Sequence, residues 1–121
     1  MVISSLAQLV YEGRALAGET VIDAHTHFGV LEDYFVPQAD VASLVQYMDR
    51  YGIQRACTFA YAGVNSDFVY GNDLVVEAVR AYPDRFIGYA TMHANYPEEL
   101  VLELERMDKL GLRGSKLITA Y

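Results

Sequence analysis

Cysteine is almost missing from this sequence: the single Cys57 among 121 residues can close no internal disulfide and has no CxxC companion. That excludes a disulfide-stapled secreted fold and an all-cysteine zinc site, and it fits a reducing cytoplasm. Positive charge is scarce as well, with 9 Lys and Arg against 16 Asp and Glu for a net charge of −7. So acidic a chain lacks the electrostatic footprint that binds phosphate backbones, which argues against nucleic acid and against an anionic membrane as partners. No apolar run approaches the roughly 18 residues needed to cross a bilayer, and the first dozen residues lack the basic region of an export signal. With only 3 Pro and 9 Gly, 53% hydrophobic residues and no Pro/Gly/Ser-rich linker, the composition is that of one folded domain.

What is present is a regular alternation of two hydrophobic periods. Residues 3–17 place Ile3, Leu6, Leu9, Val10 and Leu16 at helical spacing, with Ser4 or Ser5 as a cap, and predict a leading amphipathic helix within residues 1–18. Residues 20–26 (TVIDAHT) predict a strand. Asp40 then caps a helix in which Val41, Leu44, Val45, Met48 and Tyr51 share a face, and Gly52 stops it. The cycle repeats: a strand at 54–60, a helix at 73–82 ended by Pro83, and a strand at 86–91. A further helix opens on Pro97, Glu98 and Glu99, and a fourth strand covers 113–118. Such alternation implies parallel strands joined by right-handed helical crossovers, in the order 1-2-3-4 with the helices outside. The fold class is therefore α/β, about four parallel strands of a partial barrel. Leu117, Ile118, Ala120 and Tyr121 give the last strand none of the charge or proline that guards an open edge. The expectation is that the chain forms half of something larger, or self-associates.

The strongest chemical signal is Asp23-Ala24-His25-Thr26-His27. Strand alternation sets Asp23, His25 and His27 on one face and Ile22, Ala24 and Thr26 on the other. Two imidazoles one strand repeat apart, roughly 7 Å between α-carbons, can converge on one divalent ion. Asp23 could orient a ring by accepting its other N–H. The plainer alternative is two histidines facing solvent, but the carboxyl end of a strand in a parallel α/β sheet is where ligands bind. A loop rich in aromatics and acids comes next (Phe28, Glu32, Asp33, Tyr34, Phe35).

Two histidines are fewer than the three protein ligands of a typical catalytic zinc. His93, after the third strand, could touch substrate or metal, or be a solvated loop histidine beside Asn95 and Tyr96. Lys116, inside the fourth strand, could bind an anionic substrate group or, if carbamylated, bridge two metals; equally, it could be an edge lysine that blocks aggregation. Cys57 reads as a small core residue. No phosphate loop, GxSxG or HExxH motif is present, and no residue can be assigned as catalytic.

IDAHTH, NDLVVEAVRAYPDRFIGYATM and LERMDKLGLRGSKL, in this order, resemble the amino-terminal half of the amidohydrolase-related (amidohydrolase 2) metal-dependent hydrolases, relatives of aminocarboxymuconate semialdehyde decarboxylase. The resemblance covers about residues 19–118. It implies that residues 19–121 are the first half of a (β/α)₈ barrel, a fold that takes at least about 200 residues when complete. It implies His25 and His27 as ligands of a divalent metal, zinc first, with a later histidine and an aspartate from strands beyond this sequence. Relatives read KLH followed by Pro at the fourth strand, whereas Lys116-Leu117 is followed here by Ile118 and Thr119, so only the first-strand histidines transfer. The implied activity is hydrolysis or decarboxylation of a small carboxylated or cyclic molecule, completed by a missing carboxy-terminal half. The alternative is a self-associating half-barrel that keeps a residual histidine pair as a binding or structural module.

Overall fold

The computed structural model describes residues 5–16, 18–31, 34–64 and 67–118. Along them run α1 (Ser5–Tyr11), β1 (Ile22–Phe28), α2 (Val41–Tyr51), β2 (Arg55–Ala60), α3 (Tyr61–Val64), α4 (Phe68–Ala81), β3 (Phe86–His93), α5 (Pro97–Lys109) and β4 (Gly114–Ile118). The expectations placed on Ile3, Ser4, Glu32, Asp33, Thr119, Ala120 and Tyr121 lie outside the described residues, as does the side chain of Ser5.

Local chemistry sets most of the boundaries. The Asp40 carboxylate caps α2, accepting from the Ser43 backbone N–H at 2.9 Å and from its hydroxyl at 2.8 Å. Gly52 ends that helix with φ 73°, a left-handed conformation that costs glycine nothing. Pro97 opens α5, with Glu98 and Glu99 in its first turn and Arg106 and Lys109 in its last. α1 is shorter than expected, ending at Tyr11 ahead of Gly13 at φ 65°.

All four strands are parallel and pair in sequence order, β1-β2-β3-β4. They curve as half of a barrel, with flanking helices. Met48 of α2, Val75 of α4 and Met107 of α5 are buried with Phe86 in the core between helices and sheet. The packing is close at Gly88, where an added Cβ would lie 2.5 Å from Leu112 and 2.9 Å from Val75 and Val79. Among the described residues no helix is long and apolar enough to cross a membrane.

The ladder departs from simple alternation in two places, both close to the histidines. The β1–β2 register shifts between Asp23 and Thr26: Asp23 pairs with Ala56, but His27 pairs with Phe59. Ala56 and Phe59 are an odd number of residues apart and point to opposite faces of β2, so Asp23 does not share a face with His27 as expected. The second departure lies between β2 and β3. Their ladder runs only from Ala56 and Phe86 to Thr58 and Gly88, after which the carboxamide of Asn72, from α4, takes over the backbone of Thr91.

The α4 region also corrects the predicted helix at 73–82. The helix begins at Phe68, capped by Asp67, whose carboxylate accepts from the Tyr70 N–H at 3.0 Å. It is preceded by the single turn α3. β3 likewise runs on to His93, two residues past the predicted strand, which makes His93 a strand residue.

Candidate metal and substrate site

His25 and His27 stand side by side on β1, their ring centroids 5.0 Å apart and the planes nearly perpendicular at 82°. β2 supplies their common support. Phe59 lies 5.8 Å from His25, stacked, and 4.8 Å from His27, edge-on. Tyr61, the first residue of α3, covers His27 from another side at 4.5 Å. His27 titrates below its ordinary value, chiefly because burial disfavours the charged ring, and then because His25 and Lys116 repel a positive charge there; Asp23 works in the other direction. The result favours neutral imidazole, the form that ligates metals.

Asp23 does not meet either ring. Its Oδ1 accepts from the backbone N–H of His25 at 3.0 Å, within the stretch where the register shifts. The carboxylate therefore fixes the main chain that carries His25.

Lys116 points inward rather than guarding the edge. Its Nζ lies 5.4 Å from the centroid of the Phe59 ring, a cation–π contact that brings the ammonium toward the histidines. His25, Phe59 and Lys116 share with Cys57, Tyr89 and Ser115 an open cleft of about 230 Å³. Cys57 is free and buried, as expected of a small core residue, yet it forms part of the cleft wall. A hydrogen bond with its side chain is the main cause that pushes the Tyr89 phenol above its ordinary range.

His93 is buried, only 6% exposed, and its Nε2 lies 2.9 Å from the carbonyl oxygen of Gly63 in α3. A carbonyl only accepts, so the proton sits on Nε2. The expectation of a solvated loop histidine is overturned, because the ring packs at the sheet end against Phe68 and Tyr96. The loop after β1 is closed by the Gly29 N–H donating to the Ala39 carbonyl at 2.6 Å, and Phe35 within it is 93% exposed.

Among the described residues no three metal-donor side chains converge. The pair of imidazoles fits a divalent ion in donor type, and it supplies two ligands of a set. Nothing in the sequence singles out Tyr61, because a tyrosine just after an apolar strand carries no local mark of a contact made with the neighbouring strand.

No family model matches this sequence, and no curated protein matches it. Solved structures do resemble the fold. A 2,6-dihydroxybenzoate decarboxylase, in complex with 2,6-dihydroxybenzoate, superposes with a TM-score of 0.66 at 23% identity, over 80% of this chain and 38% of that one. The 2,6-dihydroxybenzoate decarboxylase from Rhizobium gives 0.61 at 18% identity over 80% and 38%. A probable 2-pyrone-4,6-dicarboxylic acid hydrolase from Acinetobacter baumannii, with citric acid bound, gives 0.54 at 21% identity over 80% and 37%. At these identities the likeness is one of fold. The chain spans well under half the length of the structures it resembles.

Proposed function

We propose that this chain is the amino-terminal half of a barrel enzyme of the amidohydrolase type, a metal-dependent hydrolase or decarboxylase of a small carboxylated or cyclic molecule. The observation that carries this reading is the pair of imidazoles at the carboxyl half of β1, 5.0 Å apart, with His25 lining one cleft together with Lys116. The fold likeness to a decarboxylase and to a probable dicarboxylic acid hydrolase supports it.

In this reading residues 1–18 are a leading segment and residues 19–121 the half-barrel. His25 and His27 would hold a divalent metal, zinc in the first instance, and further ligands would come from a carboxy-terminal half. A metal so held acidifies bound water and polarises a carbonyl. The chain's own residues prepare for that. Burial keeps the His27 ring neutral, Asp23 holds the His25 main chain, and Lys116 offers its ammonium to a substrate carboxylate over the apolar face of Phe59. The sequence offers His93 as a substrate contact, but its buried bond to Gly63 gives it a supporting role in this proposal. With two ligands of the set, the chain alone is inactive. A cytoplasmic setting, with the lone thiol reduced, belongs to the same reading.

Zinc titration by calorimetry tests the assignment. The chain should bind zinc weakly, His25→Ala and His27→Ala should each lower the affinity, and the double variant should abolish binding. Equal binding by the double variant and the parent would remove both histidines from the site.

A further inference from the structure

We propose that Tyr61 is a positioning residue that holds the His27 imidazole ready for coordination, and that His93 keeps Tyr61 in place through α3. The proposal rests on the reading of His25 and His27 as ligands. It adds two residues outside the pair of ligands.

The two histidines are supported unequally. Apart from the His27 ring, His25 has Phe59 as its one aromatic neighbour and is exposed. Apart from the His25 ring, His27 has two aromatic neighbours, Phe59 edge-on at 4.8 Å and Tyr61 tilted by 34° at 4.5 Å. An imidazole free to rotate must lose that freedom when it binds an ion, and one already confined by neighbouring rings loses less.

Tyr61 owes its place to the turn that it begins. α3 has only four residues and cannot hold itself. Three contacts at Gly63 fix it. The Gly63 carbonyl accepts from His93 Nε2 at 2.9 Å. The side chain of Thr91 presses against the glycine, 2.9 Å from where a Cβ would stand. From the other side α4 approaches so closely that a Cβ on Gly71 would lie on the Gly63 backbone. Of these contacts only the one from His93 is a directed hydrogen bond, and the His93 ring is itself confined by Phe68 at 5.9 Å. The path runs from β3 through α3 to the metal-side histidine of β1, across the strand that separates them.

The test compares Tyr61→Phe, Tyr61→Leu, His93→Gln and His93→Leu in the full chain. The first measurement needs no metal: the ring proton signals of His27 and His25 in heteronuclear NMR spectra. Tyr61→Leu should move the His27 signals by removing the neighbouring ring current, and should leave those of His25 nearly in place; Tyr61→Phe should change little. His93→Leu should move the His27 signals too, and His93→Gln, whose amide can still donate to Gly63, should restore them. The second is zinc affinity by calorimetry, which should fall about 3- to 10-fold in Tyr61→Leu and His93→Leu and stay near the parent's in Tyr61→Phe. If zinc binds Tyr61→Leu as tightly as the parent, positioning by Tyr61 is wrong while the ligand assignment stands. If His27 signals respond to Tyr61→Leu but the parent takes up no zinc, the metal reading falls and the packing of His27 by Tyr61 stands. Unmoved His27 signals in both leucine variants would overturn the whole path.

Discussion

Asn72 treats Thr91 as a neighbouring strand would. Its Nδ2 donates to the Thr91 carbonyl at 3.2 Å and its Oδ1 accepts from the Thr91 N–H at 2.7 Å. The side chain stands in for the stretch of β2 that has left the ladder after Thr58, and both residues are fully buried. The same amide also donates to Glu103 at 2.9 Å, and Glu103 is clasped by Arg106, which in turn reaches Asp73. One polar chain thereby ties β3, α4 and α5 together. Both carboxylates push the Arg106 guanidinium further up, so it remains charged throughout.

Asn72→Ala is accordingly expected to cost about 3 to 5 kcal/mol, because it strips partners from a buried N–H, a buried carbonyl and a buried carboxylate together. Urea unfolding followed by circular dichroism measures this. A loss below about 1 kcal/mol would mean that water replaces the amide.

Gly71→Ala should also destabilise the chain, by about 1 to 3 kcal/mol, despite alanine's higher helix propensity. The added methyl would meet the backbone of Gly63, which cannot rotate away as a side chain could. Thermal unfolding would show a lowered midpoint, and an unchanged or raised midpoint would mean that α3 and α4 are not in backbone contact at these glycines.

His27 sets a pH dependence with a definite sign. Its folded pKa lies below the ordinary 6.5, so between the two values the unfolded chain binds more protons and stability rises with pH. The contribution is complete above about 6.5 and declines as pH falls toward the folded value. Lys116→Met removes one of the lowering causes. The His27 midpoint, followed by NMR, should then rise and stay below 6.5, since burial and His25 remain. No movement would place the ammonium too far away to act.

The edges of the sheet predict association. Ile22 on β1 and Leu117 on β4 are about half exposed, at 50% and 52%, and the ladder ends at both strands among the described residues. Sedimentation at micromolar concentration should find dimers or larger species. A monodisperse monomer at that concentration would remove self-association from consideration.

The strand order and the alternation of strands and helices were legible because each depends on local pattern: apolar spacing in α2, the Asp40 cap, Pro97 at the head of α5. The parts that escaped depend on contacts made across the fold. Gly71 and Asn72 look like loop residues in sequence, yet the glycine is needed where α3 touches α4 and the asparagine where β3 lacks a partner. His93 stands beyond what looks in sequence like the end of a strand, and the ladder to β4, which pairs His93 with Ile118, is what carries the strand that far. The histidine pair was legible from its motif. Its neighbours were less so, because strict alternation groups Asp23 with His27 and the register shift in β1 separates them.

Pairing in sequence order has a consequence for how the chain comes to be folded. Each strand finds its partner in the one just made, across one helical crossover, so the entropy lost in closing each loop is similar from one step to the next. A chain of this topology can assemble progressively from its amino end as it leaves the ribosome, with β1 and its two histidines in place before β4 has been synthesised.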